Sequence, residues 1–288
     1  MTGRTSLAVT ALALQILGGR TIAQVQPPAF STQREIVRVD VLVTDRGGPV
    51  AGLGPSDFEI FDNDVRQTVD LVSFEQIPLN VVLALDVSNS VSGERLEHLR
   101  AGGQSVTRGL TSGDQAALIT FNQVVAQLAP LTHDVGRVRD ALESTLEPGD
   151  TALIDGVYTA MIVGESDAGR GLVIVFSDGL DTISWLSPGA VLETAKRSDV
   201  VVYGVSIGNR TPFLRDLSTL TGGSVINIDS TKNLSATFAR ILDEFRHRYL
   251  VSYSPQGVTR GGWHRLTVRV RGRNLTVKAR PGYLRDRS

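Results

Sequence analysis

Residues 84–90, ALDVSNS, close the apolar run LNVVLAL and set three oxygen-bearing side chains at alternate positions, Asp86, Ser88 and Ser90. The tip of such a segment offers oxygen and neither nitrogen nor sulfur, which suits hard divalent cations. Two more oxygen-rich stretches stand out: PGDTAL at 148–153, and VFSDGLD at 175–181, the latter continuing the apolar GLVIV. If the loops they form reach one edge of a sheet, Asp86, Ser88, Ser90, Thr151 and Asp178 surround a single point. Hydroxyls are neutral ligands, so a divalent ion held directly by Ser88, Ser90 and Thr151, with the carboxylates supporting it through water, keeps much of its charge. Such an ion seeks one more anionic ligand. Mg²⁺ tolerates this arrangement, because it takes oxygens octahedrally and commonly retains waters that a carboxylate can displace. The pattern therefore points to recognition rather than reaction. Taken singly, any of these Ser or Asp residues would merely cap a helix or shape a turn, and Asp181 is assigned that role.

Bringing the loops together is a task for parallel strands. The apolar runs at 79–85, 115–121, 172–177 and 200–207 lack alternation, as expected of strands covered on both faces. Helical stretches lie between them. Leu96, Leu99, Val106 and Leu110 share one side of a helix that Ser92 can cap, and Val135, Val138, Leu142 and Leu146 share one side of the next. A last helix, from near Asp229 and Ser230, carries Leu234, Phe238, Ile241, Leu242 and Phe245. The fold class is therefore α/β, an open, doubly wound, mostly parallel sheet over 77–247, whose ligands bind beyond the carboxyl ends of the strands.

The flanks read differently. EIVRVDVLVTD alternates, with Val37, Val39, Val41 and Val43 on one face; the turn DRGGP follows, then the strands DFEIF and QTVDLVSF around the turn DND. An antiparallel segment over 34–76 fits. After the last helix, RYLVSYSP, WHRLTVRVRG and NLTVKARPGY predict three strands over 248–288, with Leu266, Val268 and Val270 inward and Arg265, Arg269 and Arg271 outward. The two flanks are expected to pair into a second, β-rich module. The outward arginines form a solvated sheet face rather than a nucleic-acid patch.

Composition narrows the function classes. The chain has 288 residues, a net charge of -1 and a pI near 6.4, which is not the concentrated positive field that nucleic acid requires. It has no cysteine, so thiol catalysis, cysteine-ligated zinc and disulfides are all absent. His98, His133, His247 and His264 are scattered without ligand spacing. The start, MTGRTSLAVTALALQILGGRTIAQ, pairs Arg4 with an apolar run from Leu7 to Leu17 and a small-residue site at Thr21-Ile22-Ala23. This predicts a signal peptide, residues 1–23, cut after Ala23, and hence a secreted, periplasmic or cell-surface protein with no membrane span in the mature chain.

DVSNS, the Thr of GDTAL and the Asp of FSDG, in that order, resemble the metal-ion-dependent adhesion site of von Willebrand factor type A (VWA) domains. The resemblance covers residues 77–247, including GDQAALITFN, VVVYGVSIG and LTGGSVINI; GDT stands where GGT is common and SDG where TDG is common. The flanks, VDVLVTDRGGPVAGLGPSDFEIFDNDVRQTVDLVSFE before and FRHRYLVSYSP and LTVKARPGY after, are similar to those of a family of exported bacterial VWA-related proteins. The resemblance implies a non-enzymatic adhesion or binding protein that holds Mg²⁺ or Mn²⁺ at Asp86, Ser88, Ser90, Thr151 and Asp178. Its partner would be a protein that completes the metal shell with an acidic side chain. Two other classes compete: a metal-free structural or assembly scaffold, and a Mg²⁺-dependent phosphotransferase with Asp86 as nucleophile. The second resembles an Asp-x-Asp start, whereas Ser88 stands in the second place, and Lys196 and Lys232 sit in helical segments. The chain has no Gly-rich phosphate loop and no GxSxG elbow.

Overall fold

A computed structural model describes residues 35–74, 77–144, 149–165, 169–178, 180–208, 212–272 and 274–285. The expected signal peptide lies outside these residues, as do Leu146 and Pro148. In chain order the strands and helices are β1 (Val37–Asp45), β2 (Gly48–Pro49), β3 (Phe58–Asp62), β4 (Val65–Gln67), β5 (Val69–Phe74), β6 (Leu79–Asp86), α1 (Glu94–Gly109), β7 (Gln115–Phe121), β8 (Val125–Thr132), α2 (Val135–Leu142) and α3 (Leu153–Gly164). There follow β9 (Arg170–Ser177), α4 (Pro188–Ala195), β10 (Val201–Ile207), α5 (Pro212–Thr221), β11 (Val225–Ile228), α6 (Leu234–Arg246), β12 (Tyr249–Tyr253), β13 (Gly262–Val270), β14 (Thr276–Lys278) and β15 (Gly282–Arg285).

The α/β unit is built on a sheet of order β11-β10-β9-β6-β7-β8. Its strands are parallel except β8, which runs antiparallel to β7 at the edge. Every residue of β6 is buried, which explains why its sequence does not alternate. Leu79, Val81, Leu83 and Leu85 pack under α1, α2 and α6, while Val82 and Ala84 pack under α3, α4 and α5. The two cores thus lie on opposite faces of one strand. From β6 the chain first moves one way to β7 and later returns to β9 on the other side, so the strand order switches between β6 and β9. Ligand sites of open α/β sheets form at such a switch. The register Leu85↔Phe176 sets Asp86, the last residue of β6, beside Ser177, the last of β9.

Local chemistry explains where the helices start. The sequence points to Ser92 as the cap of α1, but Gly93 occupies that position with φ 57, a conformation that glycine adopts without strain. The glycine lets the 88–92 loop fold back over the sheet edge before the helix begins. A Cβ at Gly103 would meet the Leu142 side chain at 2.7 Å, so a larger residue there would push that side chain aside. Asp134 caps α2, accepting the Gly136 N–H at 3.1 Å. Before α6, Ser230 caps a single 3₁₀ turn over Thr231–Asn233, and Leu234, Phe238, Ile241, Leu242 and Phe245 are all buried.

The flanking strands form two antiparallel sheets, β14-β1-β12-β5 with β2 beside β1, and β15-β13-β3-β4. Val37, Val39, Val41 and Val43 of β1 share one core with Phe58, Ile60, Tyr249, Val251, Leu266 and Tyr283, so the sheets face each other as a sandwich. N-terminal and C-terminal strands pair within both sheets: β1 with β12, and β3 with β13. Asn63 and Asp64, at φ 46 and 65, make the β3–β4 turn. The segment 67–74, a single strand by pattern, is divided at Thr68 between the two sheets. Gln67 fastens that corner, its amide exchanging hydrogen bonds with the Gln256 backbone at 3.0 and 2.8 Å. NLTVKARPGY is likewise divided into β14 and β15, because Arg280 and Pro281 intervene and Pro281 has no N–H for a ladder.

Candidate metal centre

Asp86 ends β6 fully buried. Its Oδ1 accepts the Ser88 N–H at 2.9 Å and its Oδ2 the Ser177 hydroxyl at 2.7 Å, so the carboxylate bridges the two strands at the switch. Burial raises the Asp86 carboxyl above its ordinary value; hydrogen bonds from Ser88 and Ser177 oppose the rise, and the nearby charge of Asp178 adds to it. Ser88 is buried, and its Oγ lies 3.2 Å from Ser90 Oγ. Ser90 in turn donates its hydroxyl to Asp178 Oδ1 at 2.6 Å.

Thr151 reaches the same edge through backbone bonds. The Asn89 N–H donates to the Gly149 carbonyl at 3.0 Å, tying the 86–90 loop to the 149–152 loop. The Thr151 N–H donates to Thr182 Oγ1 at 3.0 Å, and the Thr151 carbonyl accepts the Thr182 N–H at 2.9 Å. Among the described residues no hydrogen bond engages the Thr151 hydroxyl. Asp86, Ser88, Ser90 and Asp178 therefore form one hydrogen-bonded cluster, with Thr151 beside it on a loop stitched to both neighbours.

The sequence reading missed two participants. Ser177 orients Asp86, and its signal was its place immediately before Asp178. Arg95, in the first turn of α1, donates through Nη1 to Asp178 Oδ2 at 3.0 Å and to the Ser90 carbonyl at 3.1 Å; a lone arginine at a helix start carries no spacing signal. Asp181 does serve as a cap: it accepts the Ile154 N–H at 3.2 Å, at the start of α3, together with the Ser184 hydroxyl at 2.5 Å. Asp155 fixes the rest of that loop, accepting the Trp185 and Leu186 N–H groups, each at 2.9 Å. Leu180, Ile183 and Trp185 on this loop are exposed, Trp185 by 94%.

The donor set fits a hard divalent cation. Neighbouring oxygens of an octahedral Mg²⁺ shell, each about 2.1 Å from the ion, stand about 3 Å apart, and the Ser88 and Ser90 hydroxyls already have that separation. Among the described residues no three His, Cys, Asp or Glu side chains cluster as a metal site, so a centre here depends on its hydroxyls. A cleft of about 460 Å³ lined by Arg38, Asp40, Arg170 and Arg280 contains none of the five residues. No helix among the described residues is long and apolar enough to cross a membrane.

The von Willebrand factor type A domain pattern matches residues 80–240. No curated protein matches the chain. Among solved structures, a von Willebrand factor type A protein from Catenulispora acidiphila is similar at 11% identity and TM-score 0.56, over 84% of this chain and 75% of that one. Proximal thread matrix protein 1 from the mussel byssus, with a zinc-occupied MIDAS motif, is similar at 16% identity and TM-score 0.54, over 64% of this chain and 49% of that one. The vWF domain of the type V pili tip protein Mfa5 from Porphyromonas gingivalis is similar at 15% identity and TM-score 0.50, over 59% of this chain and 95% of that one. At these identities the likeness is one of fold.

Proposed function

Because the chain belongs to the von Willebrand factor type A domain family, we propose that it is an exported, non-enzymatic binding protein that recognises an acidic side chain of a protein partner through a divalent metal site. Ser88, Ser90 and Thr151 would hold Mg²⁺ or Mn²⁺ directly, with Asp86 and Asp178 holding its waters. The bound ion supplies a positive charge, incompletely neutralised by its hydroxyl ligands, to which a carboxylate can bind. The observation that carries this reading is the chain of contacts from Ser88 Oγ to Ser90 Oγ to Asp178, at 3.2 and 2.6 Å, at the strand-order switch. The zinc-occupied motif of the mussel protein and the pilus-tip setting of the Porphyromonas domain support the same kind of role. The binding unit is residues 77–247, and the N-terminal 1–23 segment directs export.

Around the oxygen cluster the side chains suit a protein surface. Leu180, Ile183 and Trp185 stand exposed on a loop whose backbone is fastened to α3 and to Thr151, and Val124 is exposed on the loop after β7. Large apolar groups on a rigid loop lose little entropy on binding and serve as anchors.

Calorimetric titration of Mg²⁺ and Mn²⁺ into the chelator-treated protein, beside Ser88→Ala/Asp178→Ala, tests the metal site. Saturable heat from the parent alone is expected; equal heat from both proteins would overturn it. A second reading, a metal-free scaffold, is favoured by the Arg95 guanidinium, which already neutralises Asp178. It predicts that neither protein binds metal.

A further inference from the structure

The oxygen cluster carries a cation of its own. Arg95 Nη1 lies 3.0 Å from Asp178 Oδ2, on a side chain 52% exposed, whereas the Asp178 side chain is 5% exposed. The first turn of α1 otherwise holds Glu94 and Glu97, the sign of charge that a helix N-terminus favours. A cation there works against the helix dipole, and its compensation is Asp178. The other oxygen of that carboxylate accepts the Ser90 hydroxyl at 2.6 Å, so Arg95 and Ser90 share the group that closes the cluster.

We propose that Arg95 couples the two ligands of this site: its guanidinium opposes a divalent cation until an incoming carboxylate gives it a second partner, so that cation and acidic ligand bind cooperatively. The coupling rests on the metal-binding reading above. A fixed positive charge within a few ångströms of a divalent ion at a partly wet surface weakens its binding by at least about tenfold. A guanidinium also pairs with carboxylates in a forked geometry, which a point-charge ammonium does not reproduce. An arriving carboxylate can therefore take Arg95 as well as the ion, relieving the repulsion. Linkage then requires each ligand to raise the affinity of the other by the same factor.

The test is a titration of Mg²⁺ into the chelator-treated full chain, in chloride and in sodium acetate of equal ionic strength, acetate being the carboxylate probe. The proteins are the parent, Arg95→Gln, Arg95→Lys and Ser88→Ala/Asp178→Ala, each checked for folding by thermal melting in chelator. Arg95→Gln is expected to bind Mg²⁺ at least about tenfold more tightly than the parent in chloride. Arg95→Lys keeps the charge and should stay near the parent. Acetate should tighten Mg²⁺ binding to the parent by a larger factor than to Arg95→Gln, in which only the ion is left to hold it. An Arg95→Gln affinity equal to or weaker than that of the parent, or an equal acetate effect in both, overturns the coupling while leaving the metal site intact. Absence of Mg²⁺ binding from parent, Arg95→Gln and double variant alike overturns the metal reading and the coupling with it.

Discussion

In the proposed metal site, Thr151 has a role that can be separated from stability. Its N–H and carbonyl are both bonded to Thr182, while no hydrogen bond among the described residues engages its hydroxyl. Thr151→Val keeps the shape and the backbone bonds, so urea denaturation should find stability within about 0.5 kcal/mol of the parent. Calorimetry should find metal affinity reduced at least about tenfold, as loss of a direct ligand costs more than 1.4 kcal/mol. Ser177 is the converse case. Its hydroxyl supports the buried Asp86, and Ser177→Ala, which leaves that carboxylate short of a donor, should cost about 1–3 kcal/mol by the same denaturation. At this scale the sequence carried much of the cluster, because Asp-x-Ser-x-Ser and the later Thr and Asp are residue types at fixed spacings. Arg95 was not legible, since nothing in the spacing tells which exposed arginine will turn back over a loop.

Among the elements, the start of β6 is held by a carboxylate from the loop that follows α1. Asp114 accepts the Leu79 N–H at 2.9 Å, the Thr111 N–H at 2.7 Å and hydroxyl at 2.8 Å, and Arg246 of α6 at 2.9 Å. Burial alone would raise its carboxyl, but the bonds from Arg246, Thr111 and Leu79 outweigh burial and hold it below the ordinary value of 3.8. A carboxyl depressed in the folded state stabilises above its unfolded value, and that stability is lost as pH falls through the folded one. Asp114→Asn should therefore cost about 2–4 kcal/mol at neutral pH. Urea denaturation should find the gap between variant and parent narrowing steadily below about pH 4. The buried strands and the amphipathic helices were legible from period and apolar runs. β8 was not: its pattern is interrupted by Pro130, which an edge strand tolerates. The corners at Thr68 and Pro281 were hidden for a related reason, because which sheet a strand joins depends on distant partners such as Gln256.

Over the whole molecule, the sandwich is closed by a polar knot in its apolar core. Asp62 accepts the Tyr253 and Tyr283 hydroxyls, both at 2.9 Å, and lies 2.7 Å from His264 Nδ1, so one side chain of β3 engages β12, β13 and β15. Asp62→Ala leaves three buried polar groups without their partner and should cost about 3–5 kcal/mol in urea denaturation. Buried arginines join the sandwich to the α/β unit: Arg170 donates to Asp40 at 2.7 Å, Arg248 to Tyr203 at 2.6 Å, and Arg280 to the Ser198 carbonyl at 2.8 Å. α6 packs against α1, whose first turn holds Arg95, and runs directly into β12. The oxygen cluster and the sandwich are thus connected through packed elements. The most direct test of the central claim is the crystal structure of the protein grown with Mn²⁺, read by anomalous difference density. A single peak ligated by the Ser88, Ser90 and Thr151 hydroxyls, with Asp86 and Asp178 behind its waters, is the expected result. An ordered, Mn²⁺-saturated crystal with no peak among those five residues would contradict it.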